Sequence, residues 1–348
     1  MGAGAADTQP PMRLSYFSVQ DHYPDRARTV TELYAQVLRQ GELADQLGYD
    51  AFFVAEHHFH EYGTVPNPAV MLSALAQRTR TLRLGPAISV LTFHHPLTVA
   101  ESYAMVDVLS NGRAILGVGS GYLKHEFEGY AVAPAEKRTR FDENLAVLKL
   151  ALSGKRFSYE GVYHTVKDVQ LNVVPVQPAI PIYVAILARE AAYHVGKQGN
   201  NIVCVPYASL DRFADMTAFV GEFKKGRSES SVPPQPYDNI FAFHTHVAES
   251  DEACRKNAAD AFDLYVATRL YAKRQTYDDI MRSELGLFGS VDTVVDKIVE
   301  LYRMGVTHIM TLQNFGFLAE AKVHDSMRLM AEEVMPRVAR RIGQSAAA

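Results

Sequence analysis

An apolar run, Ala51-Phe52-Phe53-Val54-Ala55, stops abruptly in Glu56-His57-His58, an acid followed by two imidazoles. Histidine titrates near neutrality and takes its role from its hydrogen-bond partners, so a carboxylate beside two such rings is equipped to move protons. The apolar run reads as a buried strand. In a closed parallel barrel the catalytic side chains come from the C-terminal ends of strands and the loops that follow them. Glu56, His57 and His58 therefore lie on the face where chemistry is expected. The competing reading makes His57 a core histidine bonded to backbone.

Two further segments have residue types that suit a ligand. In Gly117-Val118-Gly119-Ser120-Gly121-Tyr122 the glycines fail the spacing of a dinucleotide fingerprint. Their side-chain-free backbone lets a flat molecule come close, or simply allows a tight turn. Ile186-Leu187-Ala188-Arg189-Glu190-Ala191 spans a strand-to-helix junction, where free N–H groups and the helix dipole make an anion site, or merely an ordinary helix start. A metal-hydrolase alternative uses His57, His58 and His60 with His244 and His246. It lacks an HExxH motif and a strand-end aspartate in the last two strands, so no metal is expected.

These candidates need a scaffold, and the pattern supplies one. Residues 13–19, 50–54, 82–90, 113–118, 181–186, 201–205, 240–247 and 308–313 read as strands, each followed by a helical segment. Alternation of this kind predicts a single (β/α)8 TIM barrel over residues 13–340. Residues 1–12 should be a flexible tail. Residues 157–174, with Glu160-Gly161 between aromatic and valine-rich halves, read as a hairpin laid on the rim. Residues 253–290 exceed what a barrel connection needs, and 277–289 within them read as a lid or as a static surface helix. The short Pro-rich patch 231–236 reads as a loop.

The 348 residues are 48% hydrophobic, enough for a large core, and the formal net charge of −4 offers no basic patch for nucleic acid. No run reaches the apolar length of a membrane span. Cys204 and Cys254 lie far apart and signal neither a disulfide framework nor a metal site, which points to a reducing cytoplasm. There is no GxGxxG fingerprint and no P-loop.

With these residues in place, the chain resembles the bacterial luciferase-like flavin-dependent monooxygenases over about residues 14–336. The resemblance rests on Ala55-Glu56-His57-His58-Phe59, His95-Pro96-Leu97, Asn111-Gly112-Arg113 and Gly117 to Tyr122, in that order and spacing. It implies an enzyme that takes reduced FMN from a separate NAD(P)H:flavin reductase. The reduced flavin reacts with O2 to form a C4a-(hydro)peroxyflavin, which oxygenates a small organic substrate. His57 is implied as the active-site histidine and candidate base, with Glu56 and His58 expected to fix its tautomer. Ser120 and Tyr122, with Gly119 and Gly121, are implied as cofactor contacts. Ser120 stands where the luciferases carry a phosphate-binding arginine, so Arg138 or Arg140 is expected to substitute. Ala188, Arg189 and Glu190 fall at the family's phosphate site, although its usual hydroxyl side chain is missing here. Ala87-Ile88 falls at a non-prolyl cis peptide that supports the flavin ring. A homodimer through the second and third helices is implied, and the spacing of Val70, Leu72, Ala74 and Leu75 permits it.

Within the same fold the deazaflavin F420 is an alternative cofactor, with hydride transfer in place of oxygenation; the Glu-His-His motif and His95-Pro96 favour FMN. A non-catalytic partner subunit is a further alternative, against which His57 argues. Phe17, Phe59, Tyr62, Phe93, Phe241, Phe315 and Phe317 are candidates to line an apolar substrate pocket.

Overall fold

The strand runs are short, rich in branched and aromatic residues, and apolar on both faces, as a parallel sheet covered on both sides requires. The computed structural model describes residues 9–233, 235–269 and 275–343. Its strands are β1 (Arg13–Ser18), β2 (Ala51–Val54), β3 (Arg83–Pro86), β4 (Ser89–Val90), β5 (Leu116–Gly119), β6 (Phe157–Glu160), β7 (Thr165–Val169), β8 (Ile182–Ile186), β9 (Asn201–Cys204), β10 (Asn239–Ala248), β11 (Leu287–Ser290) and β12 (His308–Asn314). Neighbours run β3-β2-β1-β12-β10-β9-β8-β5-β4, every pair parallel. A bridge from Leu84 in β3 to Ala114, just before β5, closes the ring. The stave expected over 82–90 is two pieces, β3 and β4, separated by a cis peptide at Ala87–Ile88. Counting those pieces as one stave gives the eight of a TIM barrel.

The helices are α1 (Val30–Gln46), α2 (Pro68–Ala76), α3 (Pro96–Leu109), α4 (Lys124–Gly129), α5 (Lys137–Leu152), α6 (Arg189–Lys197), α7 (Pro206–Ser209), α8 (Met216–Ser228), α9 (Asp251–Thr268), α10 (Tyr277–Ser283), α11 (Val291–Arg303), α12 (Glu320–Arg328) and α13 (Met335–Arg341). Their ends follow local chemistry. Thr29 and Glu32 form a reciprocal capping box at the start of α1. At the end of α3, Asn111 (φ 56°) and Gly112 (φ 81°) take the left-handed turn that lets the chain enter β5. The Arg113 guanidinium then donates to the carbonyls of Ala76, Thr79 and Leu82. Asn111-Gly112-Arg113 is thus a structural clasp at the closed end of the barrel.

Three expectations change. The tail does not extend to residue 12, because the Gln9 amide donates to the carbonyls of Tyr302 and Val306, and Met12 is buried. Residues 1–8 lie outside the described residues. The 253–290 region contains a strand that periodicity missed: β11 pairs in parallel with the outer half of β10, with Leu287 and Phe288 buried. That stretch is therefore an extra stave. α10 is likewise anchored, through buried Tyr277 and Ile280. The hairpin of 157–174 is present as the antiparallel pair β6 and β7. Residues 231–236 connect α8 to β10 outside any element, residue 234 being outside the described ones, and Gln235 caps Ile182.

Candidate active site

The C-terminal strand ends converge on one cavity of about 310 Å³. Phe17 comes from β1 and Val19 follows it, Glu56 and His57 follow β2, and Ala87 and Ile88 come from the break in the third stave. Ser120, Gly121 and Tyr122 follow β5, Leu187 and Ala188 follow β8, and His244 comes from β10.

His57 sits in this wall with both ring nitrogens engaged. Its Nδ1 lies 3.1 Å from Glu126 Oε1 and its Nε2 lies 2.9 Å from the Tyr62 hydroxyl, which is itself 3.0 Å from that of Tyr122. A carboxylate accepts, so Nδ1 carries the proton and donates to Glu126, and Nε2 accepts from Tyr62. Burial pushes the His57 pKa down; Glu126 opposes that shift and the Arg269 cation reinforces it. The imidazole is therefore neutral near pH 7. The result is a relay of four groups, Tyr122, Tyr62, His57 and Glu126, starting at the cavity surface. The loop that builds it is tight: a Cβ on Gly63 would stand 2.6 Å from that of His57.

Glu56 and His58 do not orient His57, contrary to expectation. Glu56 Oε1 accepts from His58 Nε2 at 3.0 Å and from His94 Nε2 at 2.6 Å, while its Oε2 accepts from the Val90 amide. Burial alone would raise the Glu56 pKa, but the two histidines outweigh it and hold it low; Glu56 in turn raises His94 despite its burial. His58 is completed by the Tyr130 hydroxyl on Nδ1. The carboxylate that does face His57, Glu126, also accepts from the His58 amide at 3.0 Å. It comes from α4, about seventy residues away, and no sequence pattern marks it.

Glu56, His58 and His94 are also the only group among the described residues whose donor atoms lie close enough to share a cation. Their mutual hydrogen bonds already use those atoms, so the cluster reads as a clamp between β2 and the loop before α3. The metal set of His57, His58, His60, His244 and His246 is not assembled.

The expected cofactor contacts divide. Ala87, Ile88, Ser120, Gly121, Tyr122 and Ala188 line the cavity, and the Ala87–Ile88 peptide is cis as the resemblance implied. Arg189 and Glu190 are exposed and face each other at 3.9 Å outside the lining. Arg140 is also outside, paired with Glu136 at 2.6 Å and stacked on Tyr163. Lys137 and Arg138, at the start of α5, line the cavity in its place, and Arg269 reaches it from the end of α9. Gly119 is glycine for a different reason from close ligand approach: a Cβ there would meet the Ile88 side chain at 2.1 Å, and one at Gly117 the Pro86 carbonyl at 2.3 Å. The glycines let β5 pack against the broken stave. Gly121 holds φ at 74°.

Of the candidate pocket aromatics only Phe17 lines the cavity. Phe241 faces outward onto Phe219, Phe93 stacks on Tyr130, Phe315 packs with Phe262 and Phe288, Phe317 meets Tyr23, and Phe59 is 64% exposed. Phe141, Phe243, Tyr122 and Tyr265 supply the aromatic wall.

At the opposite end of the barrel the chain assembles a decoy. Ser15 Oγ lies 2.5 Å from His308 Nε2, and His308 Nδ1 lies 3.0 Å from Asp238. This order matches a serine nucleophile, its base and its orienting acid. All three are buried, and Asp238 is also held by Arg13, Tyr183 and Thr307. Buried and bonded to one another, they form a polar plug at the barrel floor.

A parallel barrel whose strand ends hold a histidine relay around a mostly apolar cavity has the layout of a barrel enzyme. Comparison with known proteins narrows the class. The model of the luciferase-like monooxygenase family matches residues 12–308, and the chain belongs to that family. It is 32% identical to the uncharacterized protein y4wF of Sinorhizobium fredii, over 94% of this chain and 98% of that one. It is 25% identical to the oxygenase component of the flavin-dependent trigonelline monooxygenase of Acinetobacter baylyi, over 93% and 95%. The fold matches the crystal structure of the monooxygenase RslO1 from Streptomyces bottropensis with a TM-score of 0.85 at 26% identity, over 93% and 99%. Similarity also extends to an F420-dependent glucose-6-phosphate dehydrogenase of Intrasporangium calvum, 30% identical over 57% of this chain and 61% of that one. The family thus includes both flavin and F420 enzymes, and this protein is an oxidoreductase of that family. No helix among the described residues is long and apolar enough to cross a membrane.

Proposed function

We propose that the protein is the oxygenase component of a two-component monooxygenase, taking reduced FMN from a partner reductase and using O2 to oxygenate an organic substrate. The observation that carries this reading is the neutral His57, backed by Glu126 and linked through Tyr62 and Tyr122 to a cavity walled by the cis Ala87–Ile88 segment. The residues present fit FMN. Ala55, Ile88, Val90 and Val184 offer an apolar bed for a flat ring, and Lys137, Arg138 and the Ser120 region offer charge and polarity for a phosphate. Bound reduced flavin supplies the electrons that activate oxygen.

The chain supplies the rest. Glu126 keeps the His57 proton on Nδ1, so Nε2 stays a proton acceptor. Tyr62 and Tyr122 carry the proton between that nitrogen and the cavity. Apolar strand ends exclude water from the reacting centre. The buried free thiols of Cys204 and Cys254, both pushed up in pKa by burial, fit a reducing cytoplasm.

Self-association through α2 and α3 belongs to the same reading. Val70, Met105, Val108 and Leu109 are exposed there, while Leu72 and Leu75, read from sequence as interface residues, point into the core. Anaerobic titration with reduced FMN and, separately, reduced F420 tests the cofactor; admission of isotopically labelled O2 with a substrate panel tests the reaction. Binding of reduced FMN and label in the product are expected. Binding of F420 alone, with hydride transfer in the absence of oxygen, would overturn the proposal in favour of an F420 oxidoreductase.

A further inference from the structure

One wall of the cavity holds two side chains whose polar atoms find no hydrogen-bond partner among the described residues, beside an arginine. His244 comes from β10 and Tyr265 from the last turn of α9, and Arg269 follows that helix directly; all three line the cavity and are at least 97% buried. Among the described residues, neither ring nitrogen of His244 has a hydrogen-bond partner, nor has the Tyr265 hydroxyl. Leaving such a group unmatched costs about 1–3 kcal/mol each, so their shared position facing an open space calls for a ligand that completes them.

The chemistry of the wall defines that ligand. Arg269 stands 3.9 Å from the Tyr265 ring centroid and 4.1 Å from that of Tyr62, a cation held between two aromatic faces. A guanidinium only donates hydrogen bonds, and a tyrosine hydroxyl and a neutral imidazole N–H donate as well. The acids of the cavity wall are already engaged, Glu56 by His58 and His94 and Glu126 by His57 and the His58 amide. Donors and positive charge meeting in an apolar enclosure select an anionic oxygen. Tyr62 ties this wall to the relay, since its hydroxyl donates to His57 Nε2.

We infer that His244, Tyr265 and Arg269 seat an anionic oxygen of the organic substrate, a carboxylate or an enolate-type phenolate, and so select substrates with an apolar body and one acidic group. The inference rests on the proposed oxygenase reading only in assigning the seat to substrate and leaving Lys137 and Arg138 to the cofactor.

The test is calorimetric titration of the full-length protein, alone and with FMN, using three probes of one shape: 2-naphthoate, 2-naphthol at a pH where it ionises, and neutral methyl 2-naphthoate. One or both anions should bind about tenfold or more tighter than the ester, and which one does so identifies the oxygen class. Arg269→Gln should abolish the preference, and Tyr265→Phe, which removes a single oxygen, should weaken the anion about fivefold with the ester unchanged. Equal binding of all three probes would overturn the inference. So would a parallel loss of FMN affinity in both variants, since the wall would then serve the cofactor. If FMN fails to bind while the anion preference persists, the oxygenase reading falls and the seat stands.

Discussion

The relay fixes what each substitution at His57 and Glu126 should do. His57→Ala removes the proton acceptor and one of the many side chains that line the cavity, so turnover should fall about 100-fold or more while FMN affinity changes little. Unchanged turnover would end the catalytic assignment. Glu126→Gln is more informative. Glu126 raises the His57 pKa against burial, so its neutralisation should let that pKa fall further. Activity that needs neutral imidazole declines as pH drops through this pKa, and in Glu126→Gln the acid limb of the kcat/KM profile should move to lower pH. A limb that stays fixed or moves upward would show that another group titrates there. Glu126 is also the residue that sequence reading could not reach. Glu56 lies next to His57 in the chain, but side chains one residue apart on an extended segment point to opposite sides, and only the packing of α4 over the β2 loop brings the working carboxylate in.

Packing between elements explains the glycines of β5. At Gly117 an added methyl would collide with the Pro86 carbonyl, which has no freedom to retreat; Gly117→Ala should lower stability by about 2–4 kcal/mol, visible as a drop in Tm. At Gly119 the collision is with the end of the Ile88 side chain, which can swing aside. Gly119→Ala should therefore cost less stability and instead push Ile88 toward the cavity, weakening cofactor binding. Equal loss of Tm in the two variants, with binding intact, would contradict this account. The surface of α2 and α3 makes a separate prediction. Met105→Asp together with Val108→Asp should yield a smaller species in sedimentation with an unchanged Tm; the same mass for variant and wild type would remove this face as the interface.

Across the whole molecule, acid should destabilise the fold in two windows. Burial, helped by nearby cations, pushes His244 down to about 3 and His246 to about 4, against an ordinary value near 6.5. Below that ordinary value the unfolded chain takes up protons that the folded one refuses, so stability falls with pH. At about pH 5 each histidine should have lost roughly 2 kcal/mol relative to neutrality, read by urea denaturation at the two pH values. A denaturation midpoint that does not move across this range would rule out neutral burial. The second window lies lower. Asp238 at the barrel floor is held well below the usual carboxylate range by His308, Arg13 and Tyr183 despite its burial. Its contribution is present above about pH 4 and lost as acid protonates it. Asp238→Asn leaves the partly buried Arg13 guanidinium without its carboxylate and should cost about 3–5 kcal/mol.

The amino-acid sequence by itself determined the barrel, the hairpin at 157–174, the end of β2 as part of the active mouth, and the strand positions that line the cavity. Each of these is written locally, as periodicity, as a turn residue, or as a polar group that ends an apolar run. The tertiary structure alone decided which partners those groups meet: Glu126 on His57, Glu56 between His58 and His94, Lys137 in place of Arg140 at the cavity, and an extra strand at 287–290. It also brought together His308, Ser15 and Asp238 in the barrel floor, a constellation no local pattern announces. Hydrogen bonds and burial depend on distances across the fold, and residues about seventy positions apart become neighbours only when the sheet closes.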